Sequence, residues 1–383
     1  MKSKRLTWYE FFAGGGMARI GLGQGWTCCF ANEWSEKKAA AYRAFFGGSE
    51  LRVCDVADLK VNDLPGTPTL IWASFPCQDL SLAGSGAGLK GKRSGTFRPF
   101  WELVQDNIGS GRIPKLIVLE NVVGTLTSHA GKDFSFIVGA LAESGYRVGG
   151  LVLDAVHFLP HSRPRLFIVA SHSTVEIPSR LKLDEPAGQW HPRSLSSAYG
   201  RFPDSLRESW LWWNLPEPTE PIGELATIIE DEPTGVNWHT KEQTERLISL
   251  MSPVHLEKLA EAKSLKKRII GTVYKRTRPN ESGTRTQRAE IRFDQVSGCL
   301  RTPVGGSSRQ TIVVVEGREV RSRLLSPREA ARLMGVPDSY PLPANYNEGY
   351  HLFGDGVAVP VVSWLEEHLL RPLAVSTEVV RAA

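Results

Sequence analysis

Four short segments of this chain carry side chains that could do chemistry, each beside a short apolar run. Phe75-Pro76-Cys77-Gln78 follows Leu70–Ala73 and offers a thiol. Glu120-Asn121-Val122 follows Leu116–Leu119 and offers a carboxylic acid. His161-Ser162-Arg163-Pro164-Arg165 leads into Leu166–Val169 with two guanidinium groups at i and i+2, on one side of an extended chain and suited to an oxygen or a phosphate. Phe11-Phe12-Ala13-Gly14-Gly15-Gly16 follows the apolar start at Leu6, and its glycines allow positive φ and close approach to a ligand. Read singly, each has a plainer meaning: a buried structural cysteine, a capping Asn beside an exposed Glu, a tight turn without a ligand.

A thiol becomes a nucleophile only as thiolate, and at an ordinary pKa of ~8.5 only a few per cent is ionised at neutral pH. The site must lower that value or let the proton leave during attack. Ser81–Gly95 follows the thiol with five glycines and Lys90, Lys92 and Arg93, a composition suited to a lid over an anionic substrate. Around the glycine turn, a dinucleotide fingerprint would need glycine at position 19, which is Arg19, so a pyrophosphate is disfavoured. Glu33 is placed to grip a ribose, Trp34 offers a ring for an adenine, and Asp55 follows another short run. Together they describe an adenosine pocket without a diphosphate site, which points to S-adenosylmethionine.

Something must hold these segments together. Strands are expected at Leu6–Phe12, Leu70–Ala73, Leu116–Leu119 and Leu166–Val169, and helices at Ser35–Phe46 (with Ser35 as cap), Phe97–Ile108 and Asp133–Ser144. Continuous apolar strands alternating with helices imply a parallel α/β sheet covered on both faces, whose ligands sit at the carboxyl ends of the strands. From about residue 172 prolines become frequent, Trp210, Trp212 and Trp213 cluster, and the alternation fades. It returns after about 318, with a helix opened by Ser326-Pro327, a last helix at about Val359–Leu370 and a frayed tail after Pro372.

The 383 residues allow two or three domains, and 41% hydrophobic with 23% charged residues describes a globular chain. No apolar stretch reaches the ~20 residues of a membrane span, and five cysteines without framework spacing argue against a disulfide scaffold, so a cytoplasmic protein is expected. The net charge of +5 is unevenly spread. Residues 171–245 hold six Lys/Arg against thirteen Asp/Glu, and residues 263–309 twelve against three. A basic concentration of this kind suits a polyanion, although a solvated basic face would look the same.

Taken in order, Phe11–Gly16, Phe75-Pro76-Cys77-Gln78, Glu120-Asn121-Val122 and the Arg163/Arg165 pair closely resemble the signature blocks of the DNA (cytosine-5) methyltransferases. Arg301–Gly306, Ser326–Tyr340 and Gly354–Pro360 resemble that family's C-terminal blocks. The resemblance spans the chain except about 172–290, where the family itself varies. It implies a Rossmann-like S-adenosylmethionine-dependent sheet with helices on both faces over 1–171, a smaller irregular target-recognition domain over 172–310, a return to the catalytic domain over 311–375, and a frayed tail at 376–383.

The same resemblance implies the roles. Cys77 would add to C6 of a cytosine flipped out of duplex DNA, Glu120 would hydrogen-bond its N3 and exocyclic amine, Arg165 would hold O2, and Arg163 would support the geometry. Phe12, Gly14, Gly16, Glu33, Trp34, Asp55, Pro76 and Asp355 would form the cofactor site. Ser81, Arg93, Arg285, Arg288, Arg301 and Arg309 would contact DNA. Three departures stand out: His161 where the family usually has glutamine, Asp355 where it often has asparagine, and Gly84–Lys92, unusually glycine-rich for the lid.

The resemblance describes a monomer acting on double-stranded DNA in a bacterial or phage setting, as the protective half of a restriction–modification pair with a cognate endonuclease. An RNA (tRNA) cytosine-5 methyltransferase on the same scaffold would keep every block, but its variable region is shorter. A zinc deaminase would need P-C-x-x-C with His-x-Glu upstream; position 80 is Leu80 and no His-x-Glu precedes it. A catalytically dead DNA-binding relative would lack the thiol or the acid, and this chain has both.

Overall fold

The computed structural model describes residues 5–76, 96–219, 222–279, 283–301 and 309–377. Cys77, Ser81 and Arg93, the rest of 77–95 and the tail from 378 lie outside the described residues. The chain divides into two compact units: 1–154, 164–218 and 361–383 form the first, 155–163 and 219–360 the second.

The first unit is built on a sheet ordered β3-β2-β1-β4-β5-β7-β6-β9-β8. Its strands are β1 (Leu6–Phe11), β2 (Trp26–Glu33), β3 (Leu51–Val53), β4 (Leu70–Ala73), β5 (Leu116–Val122), β6 (Tyr146–Asp154), β7 (Pro164–His172), β8 (Lys182–Leu183) and β9 (Trp210–Trp213). β1 to β5 pair in parallel, joined by helices that include Glu36–Phe46 and Phe97–Gly109. Alternate side chains of β2 enter different apolar clusters. Phe30 packs with Phe100 and Val104 of helix Phe97–Gly109, and Ala31 with Ala39 and Tyr42 of helix Glu36–Phe46. Both faces of the sheet are therefore buried, which explains why its strands read as unbroken apolar runs.

The sheet is not wholly parallel, as the alternation had implied. β7 runs antiparallel to both β5 and β6. Only residues 155–163 separate β6 from β7, fewer than the dozen or so that a parallel crossover needs. β6 escapes a reading by apolar runs because Gly149-Gly150 interrupts it; a Cβ on Gly149 would come within 2.5 Å of Leu211 O. Residues 172–218, grouped in the sequence with the second region, fall in the first unit, because the tryptophan cluster forms β9, which pairs with β6 on one side and with the edge strand β8 on the other.

Two end effects also differ from expectation. Ser35 makes no side-chain cap; its amide instead donates to the Glu33 carboxylate. The chain beyond Pro372 is anchored: Leu373 and Ala374 are buried in helix Arg371–Val375, and Thr377 O accepts from the Glu176 amide. Helix Val359–Leu365 continues through a π turn at Glu366–Leu370 into helix Arg371–Val375, and Glu366 accepts from the Trp26 indole and Arg371.

The second unit holds a four-stranded antiparallel sheet ordered β11-β10-β12-β13, from β10 (Arg268–Pro279), β11 (Arg285–Arg292), β12 (Thr311–Glu316) and β13 (Glu319–Leu324). Val273, Ala289, Ile291, Val313 and Val315 pack with helices Lys241–Ser249 and Pro253–Ser264. Helix Pro327–Arg332 begins with a full capping box between Ser326 and Glu329, and has its proline at the first turn.

Candidate active site

Because β1 to β5 are parallel neighbours, their carboxyl ends share one edge of the first sheet. The chain leaves β1 through Phe12, a non-glycine residue at φ 58, into Gly14 at φ 57 and Gly16 at φ 77. The two glycines serve different needs. A Cβ on Gly16 would lie 2.3 Å from the Phe46 ring, so this position is dictated by packing. A Cβ on Gly14 would meet nothing within 4 Å, so the backbone there borders open space. Helix packing alone asks for glycine at 16; the room above Gly14 is what a close-lying ligand would use.

Glu33, at the end of β2, is buried and its two carboxylate oxygens accept from separate loops: Oε2 from the Gly14 amide at 2.8 Å and Oε1 from the Ser35 amide at 2.9 Å. It thus clips the glycine turn to the neighbouring strand. Trp34 follows with 72% of its surface exposed, an unusual position for the largest apolar ring. Asp55, beyond β3, is exposed and caps a short helical turn through Oδ1 to the Ala57 amide at 3.0 Å. Phe12 is half-buried against Phe100, ring to ring at 6.0 Å.

At the centre of the edge, Glu120 is buried near the end of β5, and its Oε1 lies 3.3 Å from Nε of Arg165. The pair follows from register: antiparallel pairing sets Arg165 opposite Val122 and Phe167 opposite Glu120. Asn121 Nδ2 donates to Phe75 O at 3.2 Å, and its Oδ1 accepts from the Val122 amide at 2.8 Å. The middle residue of Glu-Asn-Val therefore holds the backbone one residue before Pro76, itself half-buried. The sequence reading assigned Asn121 no task; an amide able to donate and accept between two strand-end motifs was the available signal.

Glu10 was also missed. It sits inside β1, 1% exposed, with Oε2 buried and without a hydrogen-bond partner among the described residues, and burial pushes its pKa up to about 8 against the pull of Arg19. Apolar neighbours on both sides hid a carboxyl in a strand interior.

Arg163 and Arg165, read as one pair, have separate partners. Arg163 belongs to the second unit and is 2% exposed. Its Nη2 donates to Gly354 O at 2.8 Å and Gly356 O at 2.7 Å, and its Nη1 to Leu300 O at 3.3 Å. Asp355 lies in the same stretch, exposed at the end of helix Tyr346–Asp355.

The four described residues assigned to DNA all fall in the second unit. β12 pairs with β10 only over Arg268–Val273, whereas β11 pairs with it over Thr272–Pro279. The outer half of the hairpin is therefore a two-stranded ribbon. Arg285 is exposed there, and Arg288 stands directly opposite Arg276. Like charges so placed are destabilising without an anion between or beside them; Glu290, 3.2 Å from Arg276, supplies part of that. Arg301 is exposed, while Arg309 is bound to Asn347 and lies over the Tyr346 ring.

Among the described residues no helix is long and apolar enough to cross a membrane. Residues 6–371 match the family model for C-5 cytosine-specific DNA methylases. The chain is 28% identical to the Type II methyltransferase M.BsuFI of Bacillus subtilis, over 94% of this chain and 71% of that one. It is 26% identical to the Type II methyltransferase M.HpaII of Haemophilus parainfluenzae, over 97% and 90%. Among solved structures, the Dnmt2 methyltransferase of S. pombe superposes with a TM-score of 0.59 over 97% of this chain and 99% of that one, at 18% identity, a likeness of fold. With nearly its whole length matched, this chain belongs to the C-5 cytosine-specific DNA methylase family and is an enzyme of that class.

Proposed function

We propose that the enzyme transfers a methyl group from S-adenosylmethionine to C5 of a flipped-out cytosine in a short, specific duplex DNA sequence. One observation carries this most: Glu120 stands at the end of β5 while its neighbour Asn121 holds the backbone that leads into Pro76-Cys77. An acid and the approach to a thiol are thereby fixed to each other through two adjacent strands.

The cofactor fits the residues present. Gly14 borders open space, Trp34 offers an exposed ring for the adenine, and Asp55 is an exposed carboxylate for its amine. Glu33 keeps further lone pairs for ribose hydroxyls, with Phe12, Gly16 and Pro76 completing the walls. S-adenosylmethionine supplies an electrophilic methyl group on a sulfonium.

Cytosine is a poor carbon nucleophile at C5. The Cys77 thiolate adds to C6, and the electron pair pushed onto the ring makes C5 an enamine carbon able to take the methyl group. Glu120 donates a hydrogen bond to N3, neutralising charge that builds on the ring, and Arg165 holds both the Glu120 carboxyl and O2 of the base. Loss of the C5 proton to a base then returns an electron pair that expels the Cys77 sulfur. Inside a duplex C6 is covered by stacking, so the base must leave the helix at a cost of a few kcal/mol. The β10–β11 ribbon, of a size that a major groove admits, supports duplex binding, with Arg285 and Arg288 at its outer half and Arg301 and Arg309 elsewhere in the unit. We further place the enzyme, as a monomer, in the bacterial cytoplasm as the protective member of a restriction–modification pair.

Cys77→Ser should abolish methyl transfer while leaving DNA binding within a few-fold. DNA carrying 5-fluorocytosine should become covalently attached at Cys77 when donor is present. Bisulfite sequencing of host DNA expressing the gene should reveal one short methylated sequence. Methylation confined to RNA in a parallel assay would reject duplex DNA as the substrate.

A further inference from the structure

His161 is fully buried in the second unit, and both its ring nitrogens are committed to backbone groups of opposite kind. Nδ1 lies 2.9 Å from Leu333 O, the carbonyl just beyond helix Pro327–Arg332. Nε2 lies 3.3 Å from the Leu300 amide, which donates to it. A carbonyl can only accept and an amide N–H can only donate, so the geometry admits one form: neutral imidazole with its proton on Nδ1. Around it, the Ser162 amide donates to Ser297 O and the Ser297 amide to Pro160 O, each at 2.8 Å. Residues 160–163 thus hold Ser297–Leu300 at successive points, immediately before Arg301.

We propose that His161 is a positioning residue for DNA engagement: as the neutral Nδ1–H tautomer it ties the segment leading into Arg301 to the end of helix Pro327–Arg332, and a proton on Nε2 releases that segment. A second proton would set two donors against one acceptor and turn the Leu300 amide from partner to opponent. Charged and titratable groups flank it on both sides. The Arg163 guanidinium lies on Leu300 O and 3.5 Å from Cys299 Sγ, and Tyr274 donates to Cys299 O at 2.5 Å. Tyr350 stands near both Arg163 and Cys299. On the helix side, Glu329 is taken by Arg323 at 2.6 Å, and Arg332 pairs with Asp338 and Glu230. Glutamine offers the same donor and acceptor without titrating. Imidazole can take up a second proton in acid and glutamine cannot, so the tie through His161 is open to acid.

The DNA part of this inference rests on the proposed function, so the experiment reads stability and binding separately. Wild type and His161→Gln are compared from pH 8 to 5.5 by melting temperature and by affinity for unmethylated plasmid DNA. The expected result is similar affinity at pH 8, then a wild-type loss in acid of up to about tenfold per pH unit that the glutamine variant lacks, with melting curves diverging in the same range. Parallel pH profiles for both proteins overturn the proposal. Divergent melting with parallel DNA affinity reduces His161 to a structural residue and also overturns it. If neither protein binds DNA, the proposed function fails. Hydrogen exchange of the wild type then decides the tie, as it does if the variant does not fold: the Leu300 amide should lose protection in acid before the Ser162 amide, and equal loss rejects it.

Discussion

At the strand-end edge of the first unit, polar side chains hold backbone; on the hairpin of the second, they face outward along a ladder. Glu33, Asn121 and Glu120 are buried, and the contacts of Glu33 and Asn121 pin a turn or a strand exit. Arg285 is exposed, and Arg276 and Arg288 share a position that opposes them. Chemistry on a ring needs atoms fixed to a fraction of an ångström, which buried hydrogen bonds supply. Contact with a phosphate chain needs charge of the right sign in reach, and a partly solvated ribbon is enough. Substitutions at the edge should therefore act on turnover, and substitutions on the ribbon on binding and its salt dependence.

The largest effect is expected for Glu120→Gln, which keeps the shape but removes the acid: kcat should fall by about 10²–10⁴ with DNA affinity within a few-fold. Single-turnover kinetics beside a binding assay would check it, and equal losses in both would erase the contrast between the regions. Next, Asn121→Ala removes the donor to Phe75 O. We expect roughly 10²-fold slower turnover and a stability loss of about 1–3 kcal/mol from the unpaired buried carbonyl. Wild-type kcat in this variant would show that the strand exit needs no such tie.

Arg285→Ala and Arg288→Ala should each weaken DNA binding several-fold and lower the slope of log K against log salt by ~0.9, leaving kcat at saturating DNA close to wild type. An unchanged slope in both would remove the ribbon from the interface. The smallest effect is expected at Glu10. Its folded-state pKa, about 8, lies above the ordinary carboxyl value of 4.5, so the native state binds more protons than the unfolded one between those values. Native stability from this group is full in acid and declines as pH rises toward 8, by at most ~1.4 kcal/mol per pH unit. Glu10→Gln should flatten that decline in denaturant titrations; an unaltered pH dependence would mean that the carboxyl is not buried as described.

Much of the first unit was legible because its strands are buried on both faces: Leu70–Ala73 and Leu116–Leu119 are strands, and Phe97–Gly109 and Lys132–Glu143 are helices near the expected bounds. The direction of β7, the place of Trp210–Trp213 in the sheet and the glycine-broken β6 were not, since these depend on pairing partners far along the chain. The arginines at 163 and 165 show the same limit. Spacing alone put them on one side of one strand, but Arg163 precedes the strand and its donors are used by carbonyls near residues 300 and 355.

Residue type and order alone determined the kind of chemistry available: a thiol, an acid and a glycine turn, each at the end of an apolar run, admit few reactions, because side-chain chemistry is local and travels with the sequence. Only the folded chain decided what each polar atom is joined to. Whether Glu33 clips a turn, Asn121 holds Phe75, or His161 carries its proton on Nδ1 depends on donors and acceptors brought within about 3 Å across tens to hundreds of residues, and hydrogen bonds lose their strength within an ångström beyond that.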